Sequence, residues 1–429
     1  MTYEETLDYL FTRLPMFSRI GAAAYKKDLT NTIQLLEQIG NPQQHVKTIH
    51  IAGTNGKGST SHMLASILQT AGYKTGLYTS PHLRDFRERF RIDGAMIDKD
   101  FIIDFTRRIQ PAIDLIEPSF FEITVAMAFE YFAQRGVDIA VIETGLGGRL
   151  DSTNVITPEL SVITNIGYDH MNLLGNTLEA IAGEKAGIIK PGIPVVVGET
   201  SPVTQPIFEE VAATQQSPIY FADQLRYVAD WTYEHHALTA QVTRHGRDER
   251  IAYRLDLPGF YQTKNLVTVL EAVDQLQQRG FHLPTETVQA ALQQVKQKTG
   301  LHGRWEVIHQ HPAVILDVGH NEDGMRQILS QVELTHYDHL HMVIGMVKDK
   351  EIEKVLQQLP KEAHYYFTQA QIPRALPADE LSAQAATHGL QGVAYSDVNT
   401  ALKAALHKAQ PRDLIVVCGS VFIVGEVVL

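Results

Sequence analysis

Short apolar runs alternate with longer segments of helical period along most of this chain. Val46 to Ala52 reads as a strand that breaks into a glycine-rich loop. Ser59 to Thr70 then reads as a helix with Met63, Leu64 and Ile67 on one face. A strand at Thr75–Tyr78, a helix at Phe101–Ile116 and a helix opened by the capping pair Ser119 and Glu122 and running to Gln134 follow. Strands at Val137–Ile142, Leu160–Ile166 and Ile193–Val197 surround a helix at Thr177–Ile189. This alternation predicts an α/β fold, a mostly parallel sheet with helices on both faces. Residues 218–257 differ, with Tyr, Val, Thr and His alternating with polar residues as in small antiparallel strands, and Asn265–Gln278 returns to helix. Gln297 to Gly300 reads as a linker. Beyond it a second alternation places strands at Ala313–Val318, His341–Ile344, Tyr365–Thr368 and Leu414–Val417. The expected organisation is therefore a domain of residues 1–297 and a smaller α/β domain of residues 298–429, which suits a chain of 429 residues.

Composition narrows the partners. With 44% hydrophobic and 20% charged residues the chain has the profile of an ordinary globular protein. A net charge of −12 and a pI near 5.9 argue against nucleic acid or an anionic membrane as the main partner, so an anionic ligand needs a local basic pocket. The one cysteine, Cys418, excludes an internal disulfide and suits a reducing compartment. The N-terminal residues lack the pattern of a signal peptide, and no apolar run approaches the roughly 20 residues that span a bilayer. A cytoplasmic location is expected.

The candidate chemistry gathers at strand ends. Gly53-Thr54-Asn55-Gly56-Lys57-Gly58-Ser59-Thr60 joins a strand to a helix N-terminus, where inward N–H groups, the helix dipole and the Lys57 charge make an anion site for a nucleoside triphosphate. It departs from the generic phosphate loop: Ile51 stands at the usual first glycine and Gly58 follows the lysine, with the hydroxyls of Ser59 and Thr60 coming later. Glu143 ends a buried strand and opens into Gly145, Gly147 and Gly148. An acid so placed can hold Mg²⁺ or cap the next turn. Asp169 and His170 end another strand and can ligate a metal. Ser80 offers a hydroxyl at the same sheet edge, and Pro81 stiffens its turn. Lys185 sits among Gly183, Ala186 and Gly187, small neighbours that let it pack closely. Arg84, Arg87, Arg89 and Arg91 alternate with Asp85, Glu88 and Asp93, a pattern that suits a salt-bridged solvated face at least as well as an anion site. In the second domain Asp317 can take a ribose hydroxyl pair, and Arg304 can reach triphosphate oxygens as an arginine finger does.

Taken in order, Gly53–Ser59, Thr79–Leu83, Glu143–Asn154, Thr164–His170, Gly183–Gly192, Gly303-Arg304, Asp317–Asn321 and Gly419-Ser420 resemble the folylpolyglutamate synthases of the Mur-ligase superfamily over nearly the whole chain. The resemblance implies a P-loop ATPase domain plus a C-terminal Rossmann-like domain. It also implies ATP-dependent addition of L-glutamate, in γ-linkage, to a reduced folate, through an acyl phosphate and with release of ADP and phosphate. It implies that Lys57 and the loop hold the β- and γ-phosphates, that Ser80 and Glu143 ligate one Mg²⁺ and His170 a second, and that CO2 converts Lys185 to a carbamate. It further implies nucleotide contacts by Asn265, Arg304 and Asp317, and substrate contacts by Pro81, His82, His320 and Ser420, the last two toward the incoming glutamate. A monomer with only small-molecule partners is expected. Departures are Val318-Gly319 within the Asp317–Asn321 motif, His302 for a usual proline, and Phe422 for a usual tyrosine. Dihydrofolate synthase, alone or as a second activity, is the near alternative. A nucleotide-dependent switch is the alternative from another class.

Overall fold

The computed structural model describes residues 1–16, 21, 28–234, 236–348 and 352–428. The chain divides into two compact units, residues 1–256 with 262–301, and residues 257–261 with 302–429.

The first unit is built on an eight-stranded sheet. Its strands are β1 (Thr48–Ala52), β2 (Thr75–Tyr78), β3 (Phe90–Ile92), β4 (Ala95–Met96), β5 (Ile139–Glu143), β6 (Leu160–Ile163), β7 (Val195–Val197) and β8 (Ile219–Phe221), in the order β4-β3-β2-β5-β1-β6-β7-β8. All pairings from β2 to β8 are parallel, and only β3 and β4 run antiparallel to their neighbours. β1 lies between β5 and β6, so the chain leaves it in one direction for β2 and returns on the other side for β6. Loops after β1, β5 and β6 therefore share one edge, where open α/β sheets place their ligands.

The helix after the glycine loop, Lys57–Thr70, is buried from Ser59 through Leu68 on every side, not along one face. It lies against β2 and β5 and beneath the helices Gln262–Gln278 and Thr285–Leu292. Phe120–Gln134 starts at the expected capping box: Glu122 N donates to Ser119 Oγ at 3.2 Å and Ser119 N to Glu122 Oε2 at 2.6 Å. Antiparallel strands are expected over residues 218–257, but Ile219–Phe221 joins the main sheet in parallel as β8 and Ala222–Leu225 is a helical turn, so the antiparallel sheet is β9 (Arg226–Glu234), β10 (Ala237–Arg244) and β11 (Ile251–Leu255). Buried Arg226 ties it to Glu271 on the helix Gln262–Gln278 at 2.8 Å. Gln297–Gly300 is not a linker. Val295–Thr299 is a helix of the first unit whose Thr299 is fully buried, its Oγ1 2.8 Å from His62 Nδ1, and the main part of the second unit begins at His302.

The second unit has a six-stranded sheet of β12 (Glu306–Gln310), β13 (Ala313–Leu316), β14 (Leu340–Ile344), β15 (His364–Phe367), β16 (Gly392–Ala394) and β17 (Leu414–Cys418). Its order is β12-β13-β17-β14-β15-β16, parallel except for β12. The four strands expected from apolar runs are the inner ones. β12 and β16 are edges, half-buried or exposed, so they carry no apolar run to reveal them.

Candidate active site

The loop after β1 is shaped by its neighbour after β6. Thr54 N donates to Asn165 O at 3.0 Å and Asn55 N to Asn165 Oδ1 at 2.8 Å, while Thr164 Oγ1 donates to Asn55 O at 2.6 Å. The N–H groups of Thr54 and Asn55 are thus engaged within the protein. Those at the start of the helix, Lys57 to Ser59, have no carbonyl one turn back to bond, and they remain positioned for an anion. Gly56 has φ +83°, and a Cβ there would lie 2.3 Å from Asn265 Oδ1, so only glycine lets Asn265 reach the loop.

Gln262, which the sequence reading passed over, connects the two. Its Nε2 donates to Ser59 Oγ at 3.0 Å and its Oε1 accepts from Asn265 Nδ2 at 2.8 Å. The signal was the three-residue spacing of two amides at a helix start. The two loop hydroxyls do not project together at the loop. Ser59 turns to Gln262, and Thr60 is fully buried, its Oγ1 having no hydrogen-bond partner among the described residues.

Two lysines converge on one carbonyl. Lys57 Nζ donates to Gly53 O at 3.1 Å and to Thr54 O at 3.3 Å, and Lys185 Nζ donates to Gly53 O at 2.9 Å. Lys185 is only 4% exposed. Burial, reinforced by the Lys57 charge and opposed by Asp169 and Asp151, brings its ammonium down to a pKa of about 7. Its helix, Leu178–Ala186, touches the loop after β5 backbone to backbone. A Cβ on Gly148 would meet Glu184 O at 2.8 Å, and one on Gly187 would meet Arg149 Cβ at 2.3 Å. Gly183 has nothing within 4 Å of its Cβ position, so it plays no part in that approach.

Glu143 closes β5 and is buried, with its Oε2 accepting Ser80 N at 3.2 Å. His82 Nδ1 accepts from Arg89 Nε at 2.8 Å. Burial and the adjacent guanidinium bring the imidazole down to about 3, so its proton resides on Nε2. Phe11 stacks on this ring and Phe86 meets it edge-on, while Arg89 lies 5.3 Å over Phe120. The arginine run is a salt-bridged face only in part: Arg84 is exposed and Arg87 pairs with Asp85 at 2.7 Å, while Arg89 and Arg91 are buried. His170 adopts φ +51°, its backbone N donating to Asp169 Oδ1 at 2.8 Å. Asp151, buried behind the glycine loop, accepts from Leu146 N at 2.7 Å and Thr153 Oγ1 at 2.5 Å, and Thr153 in turn meets His50 Nε2 at 2.8 Å.

The structure brings Ser80 and Glu143 together. Among the described residues no three His, Cys, Asp or Glu side chains converge as a closed metal cage. A carboxylate, a hydroxyl-bearing residue and a separate Asp–His pair suit Mg²⁺, which keeps several waters and takes phosphate oxygens as further ligands.

In the second unit Asp317 follows β13 and is buried. Its Oδ2 accepts Tyr261 Oη at 2.6 Å and Trp305 N at 2.9 Å, and its Oδ1 accepts Gly319 N at 2.9 Å. Both oxygens thus have donors inside the unit, which leaves less for a ribose than the sequence suggests. Arg304 folds back on its own turn, its Nη1 3.1 Å from Gly303 O. His320 Nδ1 lies 3.0 Å from Val318 O, and Ser420 caps Val421–Gly425, accepting Phe422 N at 3.1 Å and Ile423 N at 3.2 Å. His302, at the usual proline position, bonds Glu306 Oε1 at 2.8 Å. Pro81 is exposed on the turn between Ser80 and His82.

Residues 51–273 match the Mur ligase middle domain, and residues 303–421 match the Mur ligase glutamate ligase domain. The dihydrofolate synthase/folylpolyglutamate synthase of Bacillus subtilis is 32% identical over 439 aligned residues, covering 99% of this chain and 98% of that protein. Among solved structures, Escherichia coli FolC in complex with DHPP and ADP superposes with a TM-score of 0.84 at 28% identity, covering 99% of this chain and 96% of that one. The bifunctional folylpolyglutamate synthase/dihydrofolate synthase of Yersinia pestis, complexed with AMPPNP and a Mn ion, superposes with a TM-score of 0.82 at 29% identity, over 99% of this chain and 97% of that one.

Proposed function

The chain belongs to the Mur ligase family, among its folylpolyglutamate and dihydrofolate synthases, and we propose the following division of labour within its site. It is an ATP-dependent ligase that joins glutamate to folates. A free carboxylate is a poor electrophile, so ATP first converts it to an acyl phosphate with loss of ADP. The glutamate amine then attacks the carbonyl carbon, and phosphate leaves as the amide forms.

The observation that carries the assignment is the pair of lysines on Gly53 O, beside the free N–H groups of a helix start. Lys57 and the N–H groups of Lys57 to Ser59 hold the β- and γ-phosphates and offset charge on the transferring group. Ser80 and Glu143 would hold one Mg²⁺ and His170 a second, and the metal would supply further charge neutralisation on the phosphates. Lys185, with a pKa brought down to about 7, is largely neutral above that pH. The neutral amine can add to CO2 and lose a proton, giving a carbamate anion where a cation stood. Asn265, Arg304 and Asp317 are assigned to the nucleotide. Pro81 and His82 are assigned to the folate, His82 as a neutral Nε2–H donor, and His320 and Ser420 to the incoming glutamate. The bifunctional name of the B. subtilis relative and the DHPP ligand of the E. coli protein favour a second reading, in which dihydropteroate also serves as acceptor.

Phosphate release from MgATP, with tetrahydrofolate and glutamate each omitted in turn and products weighed by mass spectrometry, tests the reading. Release that needs both, with a folate heavier by one glutamyl residue, is expected, and a parallel dihydropteroate reaction decides bifunctionality. Release indifferent to both acceptors would favour a switch.

A further inference from the structure

The phosphate loop is held from outside by a relay whose polarity chemistry fixes. Asn165 Oδ1 accepts the N–H of Asn55 at 2.8 Å, and Asn165 Nδ2 donates to Glu199 Oε1 at 3.2 Å. Glu199 Oε2 pairs with Lys264 Nζ at 2.7 Å. A backbone N–H can only donate, and a carboxylate can only accept. The amide between them therefore has one orientation, with its oxygen to the loop and its nitrogen to the acid. The Asn165 backbone carbonyl also takes Thr54 N at 3.0 Å, so a single residue engages the N–H groups of both Thr54 and Asn55.

We propose that Asn165 and Glu199 are positioning residues for nucleotide binding: Glu199 orients the Asn165 amide, and Asn165 presets the loop so that only the N–H groups at the helix start face the phosphates. This rests on the assignment of Gly53–Ser59 as the nucleotide site. Both side chains are assigned to holding the loop, not to a substrate contact. Their contribution is to remove loop conformations that would otherwise be frozen out when nucleotide binds. Glu199 is a third exposed and Lys264 nearly half, so the ion pair itself adds little, and the orienting hydrogen bond carries the effect.

The test exploits the fixed polarity. Asn165→Asp keeps the acceptor for Asn55 N but sets a carboxylate against Glu199, and about a tenfold rise in the Kd for MgADP by calorimetry is expected, as for loss of one well-made hydrogen bond. KM for ATP should rise in parallel, and KM for glutamate should stay unchanged. Glu199→Gln alone can still accept from Asn165, so the expected change is within about threefold. The double variant Asn165→Asp/Glu199→Gln restores a complete relay, because the introduced amide at position 199 donates to the introduced carboxylate at position 165. It should recover most of the lost affinity. A purely structural defect would lower the melting temperature and raise all Michaelis constants together, without rescue by the second substitution. Unchanged MgADP affinity in Asn165→Asp, or a double variant no better than the single, overturns the proposal. Lys57→Ala serves as the control: if it binds MgADP as tightly as the parent, the nucleotide-site assignment itself fails.

Discussion

Glu143 and Asp317 have the same sequence signature, an acid at the end of an apolar strand with glycine soon after, yet they sit in different surroundings. Asp317 meets three donors that lie within its own unit, the Tyr261 hydroxyl and the N–H groups of Trp305 and Gly319. Glu143 faces the Ser80 N–H at 3.2 Å, with the Arg89 charge nearby, on the sheet edge that also holds the phosphate loop. Burial raises the carboxyl of Asp317, and its hydrogen bonds pull the other way. One acid is woven into a fold. The other stands with groups suited to a metal and phosphates. The difference lies in what distant segments bring to each strand end, since the local pattern is common to both.

Removal of Glu143 should produce the largest effect. Glu143→Ala should reduce turnover about 100- to 1000-fold, as expected for loss of a group that organises transition-state charge, with a melting temperature close to the parent's. Near-normal turnover in the purified variant would end its assignment and the comparison with it.

Asp317→Asn should behave in the opposite way. It sets an amide nitrogen against buried donors, and a loss of about 1–3 kcal/mol is expected by chemical denaturation of the second unit's transition. A rise in KM for ATP beside the stability loss supports its assignment to the nucleotide, and an unchanged KM withdraws that assignment.

Lys185 sharpens the first-unit side. Its folded pKa, about 7, lies below the ordinary lysine value of 10.5, so the unfolded chain binds more protons between those pH values, and stability should rise with pH across that window. The same ionisation governs carbamate formation: one pH unit below 7 only about a tenth of the amine is neutral. Uptake of ¹³C-labelled CO2, followed by NMR, should fall about tenfold per unit as pH drops below that point. A profile flat from pH 8 to 6, or one unaltered by Lys185→Met, would remove the modification from the mechanism.

The smallest effect belongs to Tyr261→Phe. It removes one of the three donors to Asp317 and should cost about 0.5–1.5 kcal/mol in denaturant melts with little change in turnover. A larger loss of activity than of stability would show that this hydroxyl serves more than the fold.

Much of this was legible in the chain. Strands β1, β2, β5, β6 and β7 of the first sheet and the inner strands of the second follow from apolar runs, because a strand buried on both faces must be apolar throughout. The glycine loop with Lys57, the capping box at Ser119 and the acid at Glu143 are local devices, written in consecutive residues. Four features were not. Gln297–Gly300 reads as a linker because its residues are polar, and only the packing of Val295 and Thr299 against Lys57–Thr70 makes Val295–Thr299 a helix. The arginine run reads as a solvated face because charge alternation does not reveal that Arg89 lies over Phe120 and against His82. The edge strands β12 and β16 lack the apolar signature because they are only partly covered. Gln262 and Asn165 look like ordinary amides in sequence, and their weight comes from partners many residues away: Ser59 for Gln262, Asn55 and Glu199 for Asn165.

The sequence by itself thus determined most of the helices and buried strands and the identity of the charged groups, since periodicity, capping and glycine placement act over a few residues. Tertiary structure alone decided which buried groups are satisfied. It placed two lysines on one carbonyl, gave Asp317 its three donors and lowered the Lys185 pKa by burying it beside Lys57. Desolvation and hydrogen bonding depend on what surrounds a group in space, and neighbours in space are set by the whole chain.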